Sequence, residues 1–151
     1  MKGLHYFWWD GENSVQGYNV LLIYNKEKDK ILMCKRRKAP FKGLYNLNGG
    51  KIELGENGLQ AAYREMYEET GITSADITLT HLMDFTYYCS NCYVEVYAGR
   101  LKHDVAVSGD ENELIWMASD HDFFDVKLFA GDGNVGHIVL EAAHHIEKLF
   151  L

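Results

Sequence analysis

The segment REMYEETGI, residues 64–72, places Glu65, Glu68 and Glu69 within five positions, with Arg64 immediately before them. Carboxylates this dense do one of two things. On a surface helix they form a solvated acidic face, at a small cost, because like charges three or four residues apart are neighbours and repel. As a ligand set they hold a hard divalent cation, since Mg²⁺ takes oxygen ligands and commonly sits between carboxylates and phosphate groups. Such a cation polarises a phosphoryl group and acidifies a water, and a carboxylate within reach takes the proton. The spacing alone leaves both readings open.

The element that must present these carboxylates is predicted to be a helix over 57–70. Asn57 followed by Gln60 has the spacing of a capping box, and Gly71 is placed to end the helix. At 100° per residue, Leu59, Ala62, Tyr63, Met66 and Thr70 gather on one side, and the three glutamates fall within about 100° of arc beside it. The helix is therefore expected to dock by its apolar stripe and hold the glutamates at the rim of that contact. Around it, GYNVLLIYN (17–25) and KILMCKRRK (30–38) pattern as two strands joined into a hairpin by KEKD. FKGLYNLNGGKIELGE reads as turns and short strands. TYYCSNCYVEVYAG reads as two strands or one interrupted strand, with Cys89 and Cys92 as small core fillers; a zinc site would need a second ligand pair. ITLTHLMDFTYY and NELIWMA are further strand segments. In the tail, Val135, Ile138, Val139, Ala142, Ile146 and Leu149 recur at helical spacing. Strands grouped about one internal and one terminal helix imply an α/β fold around a mixed sheet.

From Gly50 onward the chain fills every position of the pattern G-x5-E-x7-R-E-U-x-E-E-x-G-U, where U is a bulky aliphatic residue. Chance would fill it on the order of 10⁻⁷ times per chain or less, which removes the plain solvated face as an explanation. The chain resembles a Nudix hydrolase, with residues 50–72 as its Nudix box. The runs ILMCKRRKAPFKGLYNLNGGK before the box and WMASDHDFF after it resemble the MutT-type hydrolases of purine nucleoside triphosphates, oxidised ones included. The resemblance implies a Nudix-like α/β/α sandwich around a mixed sheet and a single domain over residues 1–151. It implies Glu65, Glu68 and Glu69 as ligands of Mg²⁺ (or Mn²⁺), with Gly50 offering its carbonyl to the same ion. Arg64 is implied as an orienting partner of the glutamates, Glu56 as a support at the helix start, and Gly71 as part of the structural box. Relatives draw a further acidic residue from a loop outside the box. Glu111, five residues before Trp116, has the spacing of that residue, with Glu113 and Asp110 as rivals.

The same resemblance places substrate groups. Among Lys35, Arg36, Arg37 and Lys38, one or two reach the phosphates, with Arg36 and Lys38 taken for that role. Asn46 stands where relatives carry an asparagine on the base, and an amide both donates to and accepts from a purine edge. In the loop before the last helix, Phe129 and Asp132 are matched, with a shift of one residue, to an aromatic and an acidic group that frame the base. The implied reaction is Mg²⁺-dependent hydrolysis of a phosphoric anhydride, converting a purine nucleoside triphosphate, such as 8-oxo-dGTP, to monophosphate and pyrophosphate. ADP-ribose or another nucleoside diphosphate derivative is the alternative substrate. A non-catalytic nucleotide-sensing module is the alternative of another class, but a sensor is expected to have lost box carboxylates, and here all are present.

Bulk properties agree with a small-molecule enzyme. The chain has 151 residues, 47% hydrophobic and 25% charged, an ordinary globular balance. A net charge of −7 and a pI near 5.4 argue against a nucleic-acid polymer as partner. No apolar run approaches the roughly 18 residues that would span a membrane, and MKGLHYFWWD lacks the apolar core of a signal peptide. Three cysteines fit a reducing, cytoplasmic setting better than a disulfide scaffold. The aromatics of HYFWWD, with Trp8 and Trp9, are expected either at a homodimer contact or packed on the sheet of a monomer.

Overall fold

Along strand β1 (Gln16–Tyr24) successive side chains enter opposite layers: Leu21 and Ile23 join one core, Leu22 and Tyr24 the other. A strand buried on both faces needs cover on both faces, and the computed structural model, which describes residues 15–150, provides it. The expectations for HYFWWD lie outside the described residues. Helix α1 (Gly58–Thr70) covers the face of Leu21, Ile23 and Leu32 with Ala62 and Met66. Helix α2 (Asn134–His144) covers the other with Val135, Ile138 and Ala142. Each fully buried aliphatic side chain contributes about 1.5–3 kcal/mol. This is the expected α/β/α sandwich.

The remaining strands are β2 (Lys30–Lys35), β3 (Tyr45–Asn46), β4 (Asn48–Lys51), β5 (Thr80–Tyr87), β6 (Cys92–Arg100) and β7 (Glu113–Ala118). They form one sheet of order β3-β2-β1-β6-β5, with β4 also on β1 and β7 also on β2. The sheet is mixed: β1 runs parallel to β6 from Gln16↔Cys92 to Tyr24↔Arg100, whereas β5 and β6 are antiparallel.

Four expectations need correction. The hairpin of β1 and β2 closes only at Tyr24↔Ile31. Beyond that pair β4 takes the edge of β1, and β3 and β7 take the edges of β2. Hydrophobic alternation specifies a strand but not its partner, and the parting of β1 from β2 opens the cleft described below. CSNC runs from the turn between β5 and β6 into the first residue of β6 and leaves Cys89 exposed and Cys92 half-buried, so neither fills the core; the buried cysteine is Cys34. Leu59 is 42% exposed, because the contact stripe of α1 runs through Gly58, Ala61, Ala62, Met66 and Thr70. The tail is two helices, α2 and the single turn α3 (Ile146–Leu149), broken at His145, whose backbone leaves the helical region at ψ 17°.

The ends of α1 follow the sequence closely. Asn57 Oδ1 accepts from Gln60 N–H, and Gln60 Oε1 accepts from Asn57 N–H, both at 2.9 Å. Gly71 closes the helix in the left-handed region at φ 79°, where a residue with a Cβ is strained.

Candidate active site

Helix α1 lies against β4, and two carboxylates of the box, Glu65 and Glu69, meet the backbone of Gly49 and Gly50 there. Gly49 N–H donates to Glu69 Oε2 at 3.1 Å. Gly50 N–H donates to Asn19 Oδ1 on β1 at 3.2 Å. Glu65 lies so close to Gly50 that a Cβ on Gly50 would stand 2.3 Å from its carboxyl carbon. Arg64 faces the other side of the cluster. Its Nη2 and Nε donate to the two oxygens of Glu56 at 2.6 and 3.1 Å, and Nη1 donates to Glu65 and Glu68, each at 3.1 Å. Nη2 also donates to the Lys51 carbonyl at 2.9 Å, which ties the helix to the end of β4.

One guanidinium thus serves three carboxylates, and Glu69 is left to a backbone amide. Burial, aided by Glu65, Glu111 and Glu68, pushes the Glu69 carboxyl up to about 7, against the pull of the Gly49 amide. Burial also raises Glu65, and Glu68 and Glu111 add to that while Arg64 opposes it. Glu56 goes the other way, held below its usual range by its hydrogen bond to Arg64. A set of oxygen donors, two of them half-buried, that is short of counter-charge suits a hard divalent cation. Glu65, Glu68 and Glu69 are the residues that would hold it.

Gly50→Ala tests the close approach. The methyl group must displace the Glu65 carboxylate while leaving the backbone conformation accessible. Cation affinity is expected to fall about tenfold, as when a supporting group around a metal is lost, with cation-free thermal stability little changed. A Mn²⁺ titration followed by thermal shift measures both.

The parting of β1 and β2 forms a cleft of about 780 Å³ beside this cluster. Glu69, Gly49, Gly50 and Glu111 line it together with Tyr18, Val20, Val94 and Asn46. Of the three acidic residues proposed outside the box, Glu111 acts electrostatically on both Glu65 and Glu69. Glu113 is paired with Lys35 in the β2–β7 ladder and does not line the cleft. Asp110 lines the cleft, and its carbonyl accepts from Arg37.

The basic run divides. Arg36, Arg37 and Lys38 all line the cleft, but Arg36 Nε donates to the Pro40 carbonyl at 2.7 Å and so helps fold its own loop. Asn46 Oδ1 accepts from Leu47 N–H at 2.9 Å, so its amino group is the end left to offer. Phe129 is placed differently from the expectation. It is 2% exposed and packs on Phe123 in the α2-side core, because its segment is stitched to β3 through Tyr45. A core ring there does not frame a base in the cleft. Asp132 is exposed at φ 53° in the turn before α2 and does not line the cleft.

Two cleft residues escaped the sequence reading. Asn19 and Asn48, each 2% exposed, keep their Nδ2 atoms without a protein partner. The signal was available for Asn19, a polar residue set inside the apolar run GYNVLLIYN. A separate grouping, His81, Asp84 and Glu95, brings its ligand atoms within 4.8 Å of one another on β5 and β6, away from the cleft walls. There His81 Nε2 meets Asp84 Oδ1 at 2.6 Å, and the Tyr97 hydroxyl donates to Glu95. Among the described residues no helix is long and apolar enough to cross a membrane.

A family model described as NUDIX domain matches residues 15–133. Over 47 residues the chain is 53% identical to the ADP-ribose pyrophosphatase of Methanocaldococcus jannaschii, a match covering 30% of this chain and 28% of that protein. Over 62 residues it is 36% identical to an 8-oxo-dGDP phosphatase of Mus musculus, covering 41% of this chain and 19% of that protein. The matches therefore span less than a third of the length of either relative. A crystal structure of a C. elegans Ap4A hydrolase binary complex superposes with a TM-score of 0.70 at 20% identity, covering 87% of this chain and 98% of that chain, a likeness of fold.

Proposed function

The chain belongs to the NUDIX domain family, and from that premise we propose that it is a cytoplasmic, Mg²⁺-dependent pyrophosphohydrolase that converts a purine nucleoside triphosphate to monophosphate and pyrophosphate. The observation that carries the reading is the continuity of the cleft. The carboxylates of Glu69 and Glu111 line the same cleft as Tyr18, Val20, Val94 and Asn46, so phosphates and a base can be held in one groove. The family generally uses divalent metal ions. When bound, such an ion neutralises phosphate charge and lowers the pKa of water.

The chain's own residues set the rest of the chemistry. Water attacks phosphorus, a new P–O bond forms, and the bridging oxygen leaves with the pyrophosphate. Glu69, fixed through Oε2 by Gly49 N–H, lines the cleft together with Glu111. Either carboxylate takes the proton that water loses. Arg64 keeps Glu65 and Glu68 aimed, and Arg36 and Lys38 stand at the cleft where phosphate oxygens would lie. Asn46 offers its amino group to an acceptor on the base, such as a purine carbonyl.

The names of the relatives favour two substrate classes, oxidised guanine nucleotides and ADP-ribose. All share the phosphoanhydride bond. The test compares kcat/KM for GTP, dGTP, 8-oxo-dGTP, dATP, dCTP and ADP-ribose, scoring phosphate and pyrophosphate separately. Asn46→Ala is expected to reduce purine turnover about 5- to 150-fold, the effect of ~1–3 kcal/mol lost with one buried partner, and to spare residual pyrimidine turnover. Equal loss on every substrate would reduce Asn46 to a loop-shaping residue. Strong ADP-ribose turnover with negligible triphosphate turnover would replace the triphosphate by the alternative substrate.

A further inference from the structure

Glu111 lines the cleft with Glu69 and acts electrostatically on it and on Glu65, from a segment outside any strand. The β2–β7 ladder ends at Lys35↔Glu113, and Glu111 itself is exposed, so packing does not aim it. The loop is fastened on two sides instead. On the helix side, Ser108 N–H donates to the Thr70 carbonyl at 3.1 Å. Gly109 runs so near the last turn of α1 that a Cβ there would stand 2.8 Å from the Glu69 carbonyl oxygen. On the strand side, one residue makes the attachment. Arg37 N–H donates to Asn112 Oδ1 and Arg37 Nη1 donates to the Asp110 carbonyl, each at 3.3 Å. The two bonds bracket residue 111.

We infer that Arg37 is a positioning residue, which with Asn112 fastens the 108–112 loop so that Glu111 faces Glu65 and Glu69. An arginine at the mouth of an anion-binding cleft ordinarily suggests a phosphate ligand. Here the guanidinium already donates to its own chain, and the backbone amide of the same residue takes the neighbouring side chain. A carboxylate on an exposed loop works only while its backbone holds register, and a displacement of about 1 Å in a reacting group costs on the order of 100-fold in rate. The inference rests on Glu111 being the acidic residue from outside the box.

A double-mutant cycle on the full chain separates the two roles, with kcat and KM measured for one triphosphate under saturating Mg²⁺ in the parent, Arg37→Ala, Glu111→Gln and the double variant. Arg37→Ala is expected to lower kcat about 10- to 100-fold with KM changed less than about threefold. In the Glu111→Gln background the same substitution is expected to cost less than about threefold, because the group it aimed is gone. Asn112→Ala, which breaks the strap from the other side, is expected to lower kcat in the same sense and to be silent in that background. An undiminished cost of Arg37→Ala in the Glu111→Gln protein, or an effect carried by KM, would make Arg37 a phosphate ligand and overturn the inference. Parent-like activity of Glu111→Gln alone would remove Glu111 from the chemistry, and the inference with it, while leaving the box carboxylates untouched.

Discussion

Glu69→Gln is expected to lower triphosphate turnover by 10²- to 10⁴-fold, the range for loss of a group that moves a proton, and to raise the melting temperature of the cation-free protein. Both effects have one origin. Glu69 is half-buried beside Glu65, Glu68 and Glu111, and its carboxyl is pushed up to about 7 against a reference of 4.5. The folded chain therefore holds a proton that the unfolded chain releases. Cation-free stability should fall as pH rises from 4.5 towards 7 and level off above that. The penalty at pH 8 is on the order of 1–3 kcal/mol, reduced by partial solvent exposure. Glutamine keeps an oxygen for Gly49 N–H and carries no charge, so the variant should lose this pH dependence. Melts in EDTA at pH 5 and pH 8 measure it, and a divalent cation should stabilise the variant less than the parent. Parent-like turnover would return the glutamates to an acidic surface. A parent that is more stable at pH 8 than at pH 5 without cation would contradict the crowding of carboxylates described for the cleft.

Arg64→Ala is expected to cost about 1–3 kcal/mol of stability together with most of the activity. The guanidinium holds Glu56 through two hydrogen bonds, Glu65 and Glu68 through one each, and the Lys51 carbonyl through another. Removing it leaves three carboxylates facing one another, and a half-buried charge that loses its partner costs on the order of 1–3 kcal/mol. The ion pairs alone would be worth less, since Glu68 is 55% exposed. Added salt should recover part of the stability by screening the repulsion, but not the aim of Glu65 and Glu68. Arg64→Lys keeps the charge and loses the fork that spans Glu56, so it should recover stability better than activity. Thermal melts at low and high ionic strength, with kcat at saturating Mg²⁺, decide the matter. An alanine variant as stable and active as the parent would show that the box helix needs no clamp.

The helix that carries the glutamates was legible in the sequence almost to the residue, because its signals are local. Asn57, Gln60 and Gly71 act within one turn of the helix ends they fix. The pairing of strands was not legible. The run 17–25 reads as a strand from its own alternation, but nothing in it announces that β6, 76 residues on, will lie parallel to it, or that β4 will displace β2 from its edge.

The site divides along the same line. The sequence determined the spacing of Glu56, Arg64, Glu65, Glu68 and Glu69, since one helix and its preceding turn set their mutual positions. Only the tertiary structure put Glu111, in a loop after β6, on the cleft with Glu69 and left Glu113 in the β2–β7 ladder off it, because that placement depends on where the ladder stops. It also moved Phe129 into the core and put Asn19 beside Gly50, since burial depends on which segments meet and no local pattern encodes that meeting. The chemistry of the box is written in neighbours three and four residues apart; the cleft it works in is made by strands that part.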